Sequence, residues 1–257
     1  MSLTIPMTAL SLPARTSKPR QRGLTMVIDT GIPTRQLDAM LDSYADLVDV
    51  IKLGWGTCLV TADLDRKLDM LRSHGIDFFF GGTLFEKYVL QQRFDSFREL
   101  IRAHQCRYVE VSNGTLPMTS EQKAVFIEKL SVDFTVFAEV GFKDPARSAT
   151  LQPEEWVRQV KADLDAGAHT VILEARESGR SGIGDSNGNP QTMVIKQLVA
   201  DVDPSRLLFE APTRELQTYL IEQLGANVNL GNIPADGVVN LETMRLGLRS
   251  DTFFSAV

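Results

Sequence analysis

The residues best suited to chemistry in this chain are acids and cations that close short β-rich runs. Asp29 ends the run Leu24–Asp29, and Lys52 ends Val48–Lys52. Gly81-Gly82-Thr83 follow Ile76–Phe80. Glu110 lies in Cys106–Val111, with Ser112 and Asn113 just beyond it. Glu139 lies in Phe134–Val140, ahead of Lys143. Glu174 closes His169–Glu174, ahead of Arg176, Ser178 and Gly179. Glu210 closes Arg206–Glu210, and Asn229, Gly231 and Asn232 accompany Asn227–Leu230. Bringing Glu110, Glu139, Glu174 and Glu210 together in a protein interior is costly unless cations compensate. Lys52, Lys143 and Arg176 supply part of that compensation. A hard divalent cation supplies more, and Mg2+, which favours a few carboxylates plus water and substrate oxygens, is the expected cofactor with these four acids as ligands. The same residues read one at a time also fit simple pairing of each acid with a neighbouring cation.

Backbone N–H groups in Gly81-Gly82, in the stretch from Ser178 to Gly182 and in Gly231-Asn232 suit an anion. Asp29, Ser112, Asn113, Ser178, Gly179, Asn229, Gly231 and Asn232 are therefore the expected substrate-binding set, and Lys143, Lys52 and Arg176 the expected catalytic set. The segment Ser178–Asn189 has the length of a lid. Trp55 is expected to pack, and Cys58 to be buried. His74, His104 and His169 each precede a run rather than follow one, which removes a histidine-based triad or metal centre from consideration.

What must position these groups is an alternation of strands and helices. The eight runs recur roughly every 20 to 37 residues, close to the ~30 per unit of a chain built from eight βα units. Between them, Leu37, Met40, Leu41 and Tyr44 fall on one helical face, as do Phe94, Phe97 and Ile101, and Leu216, Tyr219 and Leu220. Thr119 and Gln122 have the spacing of a capping box, Pro153-Glu154-Glu155 suits a first turn, and Gly75, Gly167 and Gly225 suit helix ends. Strict alternation implies parallel strands with right-handed crossovers. The first run ends Asp29-Thr30-Gly31-Ile32-Pro33, which lacks the glycine-rich phosphate loop of an open doubly wound sheet. The expected fold is a single-domain (β/α)8 TIM barrel over residues 23–257, whose chemistry sits at the C-terminal ends of the strands. Residues 1–22 are expected to form a flexible arm.

The chain has 257 residues and a net charge of -6. A mildly acidic surface argues against nucleic acid as a partner. The basic cluster Arg15, Lys18, Arg20 and Arg22 stands apart at the N-terminal end. Two cysteines, Cys58 and Cys106, lack zinc-site spacing and point to a reducing compartment. With no apolar leader and no run long enough to span a bilayer, the expectation is a cytoplasmic protein that does not engage membranes. Barrels often associate through their outer helices, which leaves a homo-oligomer open.

Several of these strand ends, taken in order, resemble the phosphosulfolactate synthase family. The likeness runs from about Gly23 to Arg249. It is carried by Gly23–Asp29, Ile51–Thr57, Gly81–Glu86, Glu110-Val111-Ser112, Glu139-Val140-Gly141, Glu174–Gly179, Phe209–Pro212 and Asn229–Asn232. The resemblance implies a Mg2+-dependent barrel lyase that adds sulfite to phosphoenolpyruvate, giving (2R)-phospho-3-sulfolactate, a reaction that opens one archaeal route to coenzyme M. Its small anionic partners are then phosphoenolpyruvate and sulfite. Departures from the family pattern fall at Thr30, at Asn113 and at Phe142, which separates Gly141 from Lys143. They keep two alternatives in play: a divergent barrel lyase or aldolase acting on another small anion, and a non-catalytic stress-associated homologue.

Overall fold

The computed structural model describes residues 10–254. Its strands are β1 Thr25–Asp29, β2 Val50–Leu53, β3 Asp77–Phe80, β4 Tyr108–Val111, β5 Thr135–Val140, β6 Thr170–Leu173, β7 Leu207–Glu210 and β8 Leu230–Ile233. The α-helices among the described residues begin with α1 Thr34–Tyr44, α2 Leu64–Ser73, α3 Gly82–Leu90, α4 Phe94–Ala103 and α5 Ser120–Ser131. They continue with α6 Pro145–Thr150, α7 Pro153–Asp165, α8 Thr192–Asp201, α9 Arg214–Leu224 and α10 Val238–Arg245. The strands form one parallel sheet in the order β3-β2-β1-β8-β7-β6-β5-β4, so β1 meets β8 and the sheet curls into the expected (β/α)8 barrel. Among the described residues no ladder joins β3 to β4, although the two strands lie against each other.

The local signals explain why the elements form where they do. Thr119 and Gln122 satisfy each other's backbone N–H groups in a capping box at the start of α5. Pro153 opens α7 with Glu154 and Glu155 in its first turn, where the helix dipole favours acids. Gly225 ends α9 at φ 85°, a conformation that costs a residue with a Cβ. The crossover from β3 to β4 contains two helices, α3 and α4, where a single periodic segment was visible in the sequence.

Side chains alternate across each strand. The outward set joins the helices in one continuous apolar layer, from Val27 and Leu53 to Phe209 and Ile233. The inward set fills the lower lumen with Met26, Val50, Phe79, Phe137, Ile172 and Leu208. Here Phe79 meets Phe137 edge-on at 5.3 Å, and Tyr108 stacks on Phe137 at 4.9 Å, so rings from β3, β4 and β5 plug the barrel beneath the seam. Strand β8 starts at Leu230, three residues later than its β-rich run begins. Asn229 consequently lies at the bottom of the barrel. Its side chain accepts from Leu24 N and donates to Leu207 O, so it joins strands there and is not a substrate-binding residue. Gly231 faces the lumen, and a Cβ on it would run into Leu208 and Met26. It is a packing position, not an anion cradle.

In its described part the N-terminal arm is bonded to the barrel. Arg15 pairs with Glu242 at 2.9 Å and reaches Ala226 O, Lys18 bonds Ala45 O and Val48 O, and Arg20 pairs with Asp49 at 2.9 Å. The basic cluster thus staples residues 15–20 across the bottom of the barrel. Residues 1–9 of the arm, and the last three residues of the expected 23–257 unit, lie outside the described residues.

Gly231→Ala is expected to cost about 1–3 kcal/mol through overpacking of the lumen. That would appear as a drop of several degrees in thermal unfolding midpoint; an unchanged midpoint would contradict the interior placement.

Candidate active site

A cavity of about 680 Å³ opens at the C-terminal ends of the strands. Its floor is built by inward positions one layer above the apolar plug: Ile28 of β1, Lys52 of β2, Glu110 of β4, Glu139 of β5, Glu174 just after β6 and Glu210 of β7. Lys52 stands at their centre. Its Nζ lies 3.0 Å from Glu110 Oε2, 3.2 Å from Glu210 Oε1 and 3.5 Å from Glu139 Oε2. Lys143, from the loop after β5, reaches back to Glu139 Oε1 at 3.5 Å and donates to Thr83 Oγ1 at 3.1 Å. All four glutamates are buried.

Two ammonium groups do not neutralise four carboxylates. Burial by itself would drive the Lys52 proton off, but Glu110, Glu210, Glu139 and Glu174 together hold its pKa well above the usual lysine value. Lys143 is likewise burdened by burial and held above its usual value by Glu139, Glu174 and Glu86. Among the acids the effects diverge. Burial pushes Glu110 up to about 8, with Lys52 opposing and Glu139 reinforcing. Burial and the neighbouring Glu210 and Glu139 raise Glu174 well above the carboxylate range. Burial also acts on Glu139, but Lys143 and Lys52 outweigh it and keep this carboxyl ionised. Burial thus favours a proton on Glu110 and on Glu174, on either side of the ionised Glu139.

The individual oxygens say which acids have coordination to spare. Glu210 uses both: Oε1 faces Lys52 and Oε2 accepts from Ala175 N at 3.0 Å. It is a clamp on Lys52 and on the β6 loop. By contrast, Glu110 Oε1, Glu174 Oε2 and Asn232 Oδ1 are buried with no N–H or O–H donor against them, while Glu110 Oε2 and Glu139 Oε1 meet only the Lys52 and Lys143 ammonium groups, at 3.0 and 3.5 Å. Orphaned oxygens converging from three strands fit a hard divalent cation, which needs oxygen ligands and offsets like charge.

Above the floor the lining turns cationic and exposed. Arg176 and Arg147 both face the cavity. Arg176 donates to Lys143 O at 3.1 Å, and Arg147, from α6, lies 3.9 Å over the Phe142 ring. Gly81, Gly82 and Thr83 bring the uncapped start of α3 to the wall. Trp55 also lines the mouth and is 47% exposed, so it does not simply pack into the core. Trp55, Arg176 and Asn232 all hold positive φ, at 43°, 52° and 52°. Backbone strain of this kind concentrates at functional sites.

Not every expected residue arrives here. Asp29 faces outward: it accepts from Gly31 N and Ile32 N and pairs with Lys67 of α2 at 2.7 Å, shaping the loop after β1. Ser112 donates to Glu86 at 2.5 Å, and Asn113 donates to Met118 O. Ser178 caps its own turn by accepting from Arg180 N, and Gly179 packs against Thr213. None of these lines the cavity; of the substrate-binding set only Asn232 does. The segment Ser178–Asn189 is tied down rather than poised as a lid: Ser181 donates to Phe142 O, Gly182 N to Ser148 Oγ and Ile183 N to Glu174 O. Cys58 is buried, and burial raises its thiol to about 11, so it is inert near neutrality. Sequence reasoning placed Thr83 at a strand end without giving it a role, and missed Arg147 and Glu86. Thr83 and Glu86 stand within the Gly81–Glu86 motif and carried a signal; Arg147 carried none.

A one-domain barrel with a caged lysine pair and a charged, concave mouth is the architecture of an enzyme acting on a small polar substrate. The family model for (2R)-phospho-3-sulfolactate synthase (ComA) matches residues 13–251. Phosphosulfolactate synthase of Bacillus subtilis is 47% identical over 247 residues, covering 96% of this chain and 98% of that protein. The protein of that name from Methanothermobacter thermautotrophicus is 42% identical, covering 93% of this chain and 95% of the relative. The chain belongs to the phosphosulfolactate synthase family. In fold alone it also resembles 3-hexulose-6-phosphate synthase from Salmonella typhimurium, at a TM-score of 0.54 and 11% identity over 86% of this chain and 99% of the other. Among the described residues no helix is long and apolar enough to cross a membrane.

The Glu110 shift has a signed consequence. With its folded pKa near 8 against an ordinary 4.5, the native state holds a proton that the unfolded state releases. Stability from this group is therefore lost progressively as pH rises between those values. In metal-free protein, Glu110→Gln is expected to be more stable than the parent, with a gap that widens up to about pH 8 and then levels. Denaturant midpoints across that window test this; a gap that narrows with rising pH would refute it.

Proposed function

We propose that this chain adds sulfite to phosphoenolpyruvate to give (2R)-phospho-3-sulfolactate, with Mg2+ held by Glu110, Glu139 and Glu174. The observation that carries the reading is the layering of charge in one cavity. Carboxylates with open oxygens form the floor, and Lys143, Arg147 and Arg176 stand above it. Such a site can take a metal and two anions at once, in a chain whose relatives bear this enzyme's name. The two buried free thiols suit the reducing cytoplasm proposed as its setting.

The chain's own groups divide the work. Arg147 and Arg176 present planar guanidinium forks that bind phosphate or sulfite oxygens and offset the repulsion between them. When bound, Mg2+ stabilises the negative charge that grows on the substrate carboxylate. The sulfur lone pair forms the carbon–sulfur bond at the methylene carbon, and the double-bond electrons move to the central carbon and its carboxylate. Lys143, protonated at neutral pH, gives its proton to that carbon and is reprotonated from solvent. A carbanionic centre is far more basic than an amine, so transfer is downhill even from an ammonium whose proton is tightly held. Lys52 remains charged beneath the site, fixed by three carboxylates. The same caging argues against a Schiff-base aldolase, which needs a neutral amine.

Lys143→Ala and Glu139→Gln are expected to lower turnover by roughly 10²–10⁴-fold while remaining folded. Arg147→Ala is expected to raise KM by about tenfold with a smaller effect on kcat, the pattern of lost substrate binding. Loss of the enol absorbance of phosphoenolpyruvate with sulfite and Mg2+ is the assay, and EDTA should abolish the signal until Mg2+ is restored. Well-folded wild-type protein that leaves phosphoenolpyruvate unchanged would defeat the proposal.

A further inference from the structure

The crossover from β3 to β4 carries α3 in addition to α4, and α3 is the element that touches Lys143. Lys143 ends a flexible four-carbon stem, and confining such a side chain costs rotamer entropy. Its ammonium has Thr83 Oγ1 at 3.1 Å, Glu139 Oε1 at 3.5 Å and Glu86 Oε1 at 3.8 Å. Two of these three contacts come from α3, three residues apart, which places them on one helical face.

That face is itself fixed to the barrel. Glu86 is 3% exposed. It accepts from Ser112 Oγ at 2.5 Å, from Thr115 N at 2.9 Å and from Leu116 N, so it clasps the loop that follows β4. Gly82 lets the first turn of α3 sit directly on that strand end: a Cβ there would lie 2.5 Å from Ser112 Oγ and 2.7 Å from Glu110 Oε1. The height of Thr83 above the carboxylate floor is thus set by the missing side chain beside it. The β5 loop that carries Lys143 is joined at the same place, since Lys143 N donates to Gly114 O.

We infer that Thr83 and Glu86 are positioning residues that aim the Lys143 ammonium at one face of the substrate, and that the close seating of Gly82 sets the aim. This rests on Lys143 being the proton donor of the proposed reaction. A donor fixed on one side delivers hydrogen to one face of a planar carbon and so fixes the configuration of the product. A donor on a free stem reaches the carbon late, from a poorer angle, and competes with water arriving from elsewhere.

The test measures kcat, KM for phosphoenolpyruvate and the configuration of the phosphosulfolactate formed by the Mg2+-loaded full chain. Thr83→Val keeps the size of the side chain and removes the acceptor; it is expected to lower kcat about tenfold, leave KM within a factor of two and release a measurable share of the opposite enantiomer. Thr83→Ser should restore both rate and configuration. Glu86→Gln should lower kcat by roughly 10²-fold with the same loss of configuration. Gly82→Ala removes no partner of Lys143 and should reproduce the Thr83→Val pattern by displacing α3. Lys143→Ala is the control that separates the two readings. Full turnover in it refutes the donor assignment. If it is inactive while Thr83→Val and Glu86→Gln keep wild-type kcat and a single enantiomer, the donor stands and the positioning role is refuted. Variants that lose rate in proportion to folded fraction, with configuration intact, also refute it.

Discussion

The rim depends on holding two lysines among four buried glutamates at the floor of a barrel mouth. Taking each ion out of water costs several kcal/mol, and only close opposite charges and well-placed hydrogen bonds repay it. Much of the local geometry is explained by that demand. Glu210 is engaged at both oxygens, Glu174 accepts from Arg176 N at 2.6 Å, and the loop after β6 that supplies both backbone donors holds Arg176 at positive φ. With all four acids ionised the balance would fall short of neutral, and the shortfall would sit where oxygens without hydrogen bonds converge. A site tuned for stability alone would have closed it.

Buried ion pairs outside the lumen brace the same rim from behind. Lys123 of α5 pairs with Asp163 of α7 at 2.6 Å and also donates to Glu139 O, at the residue where the central carboxylate emerges from β5. Lys67 pairs with Asp29 and donates to Ile32 O, fixing the loop after β1. At the opposite end Arg245, wholly buried, donates to the carbonyls of Ala226, Val228 and Leu24, and burial with Arg15 nearby lowers it to about 9. Charges at the bottom therefore staple backbone, while charges at the top remain available for chemistry, the division of labour typical of this barrel.

The barrel was legible because strand–helix alternation and strand spacing need no tertiary information: six of the eight strands fall inside their β-rich runs and β2 overruns its own only by Leu53. The eighth did not, because Leu230-Gly231-Asn232-Ile233 contains two poor strand formers that are held in register by β1 and β7. At the site, a strand-end position was a sound guide but an incomplete one. Parity decides which end residue faces the lumen: Ile28 does, so Asp29 cannot, and one residue separates a cavity wall from a loop brace. Ser112 and Asn113 lie beyond β4, where alternation no longer applies, and the neighbouring α3 and the turn at Met118 claim their side chains. Arg147 comes from a helix inserted in the loop after β5, and no pattern in one sequence ties such a residue to a rim.

The seam between β3 and β4 gives this cylinder a compliant line. Hydrogen-bonded ladders resist shear between neighbouring strands, whereas side-chain contacts yield by fractions of an ångström as rings and methyls resettle. Lys52, on β2, is tied by a ladder to the β3 bank of the seam and Glu110 stands on the β4 bank, so the span between cation and acid crosses what is wedged there: Phe79 against Phe137 below, and the bare backbone of Gly82 above. A lineage can therefore retune the spacing of its active charges by swapping an aromatic ring well away from any ligand, and leave every reacting residue as it was.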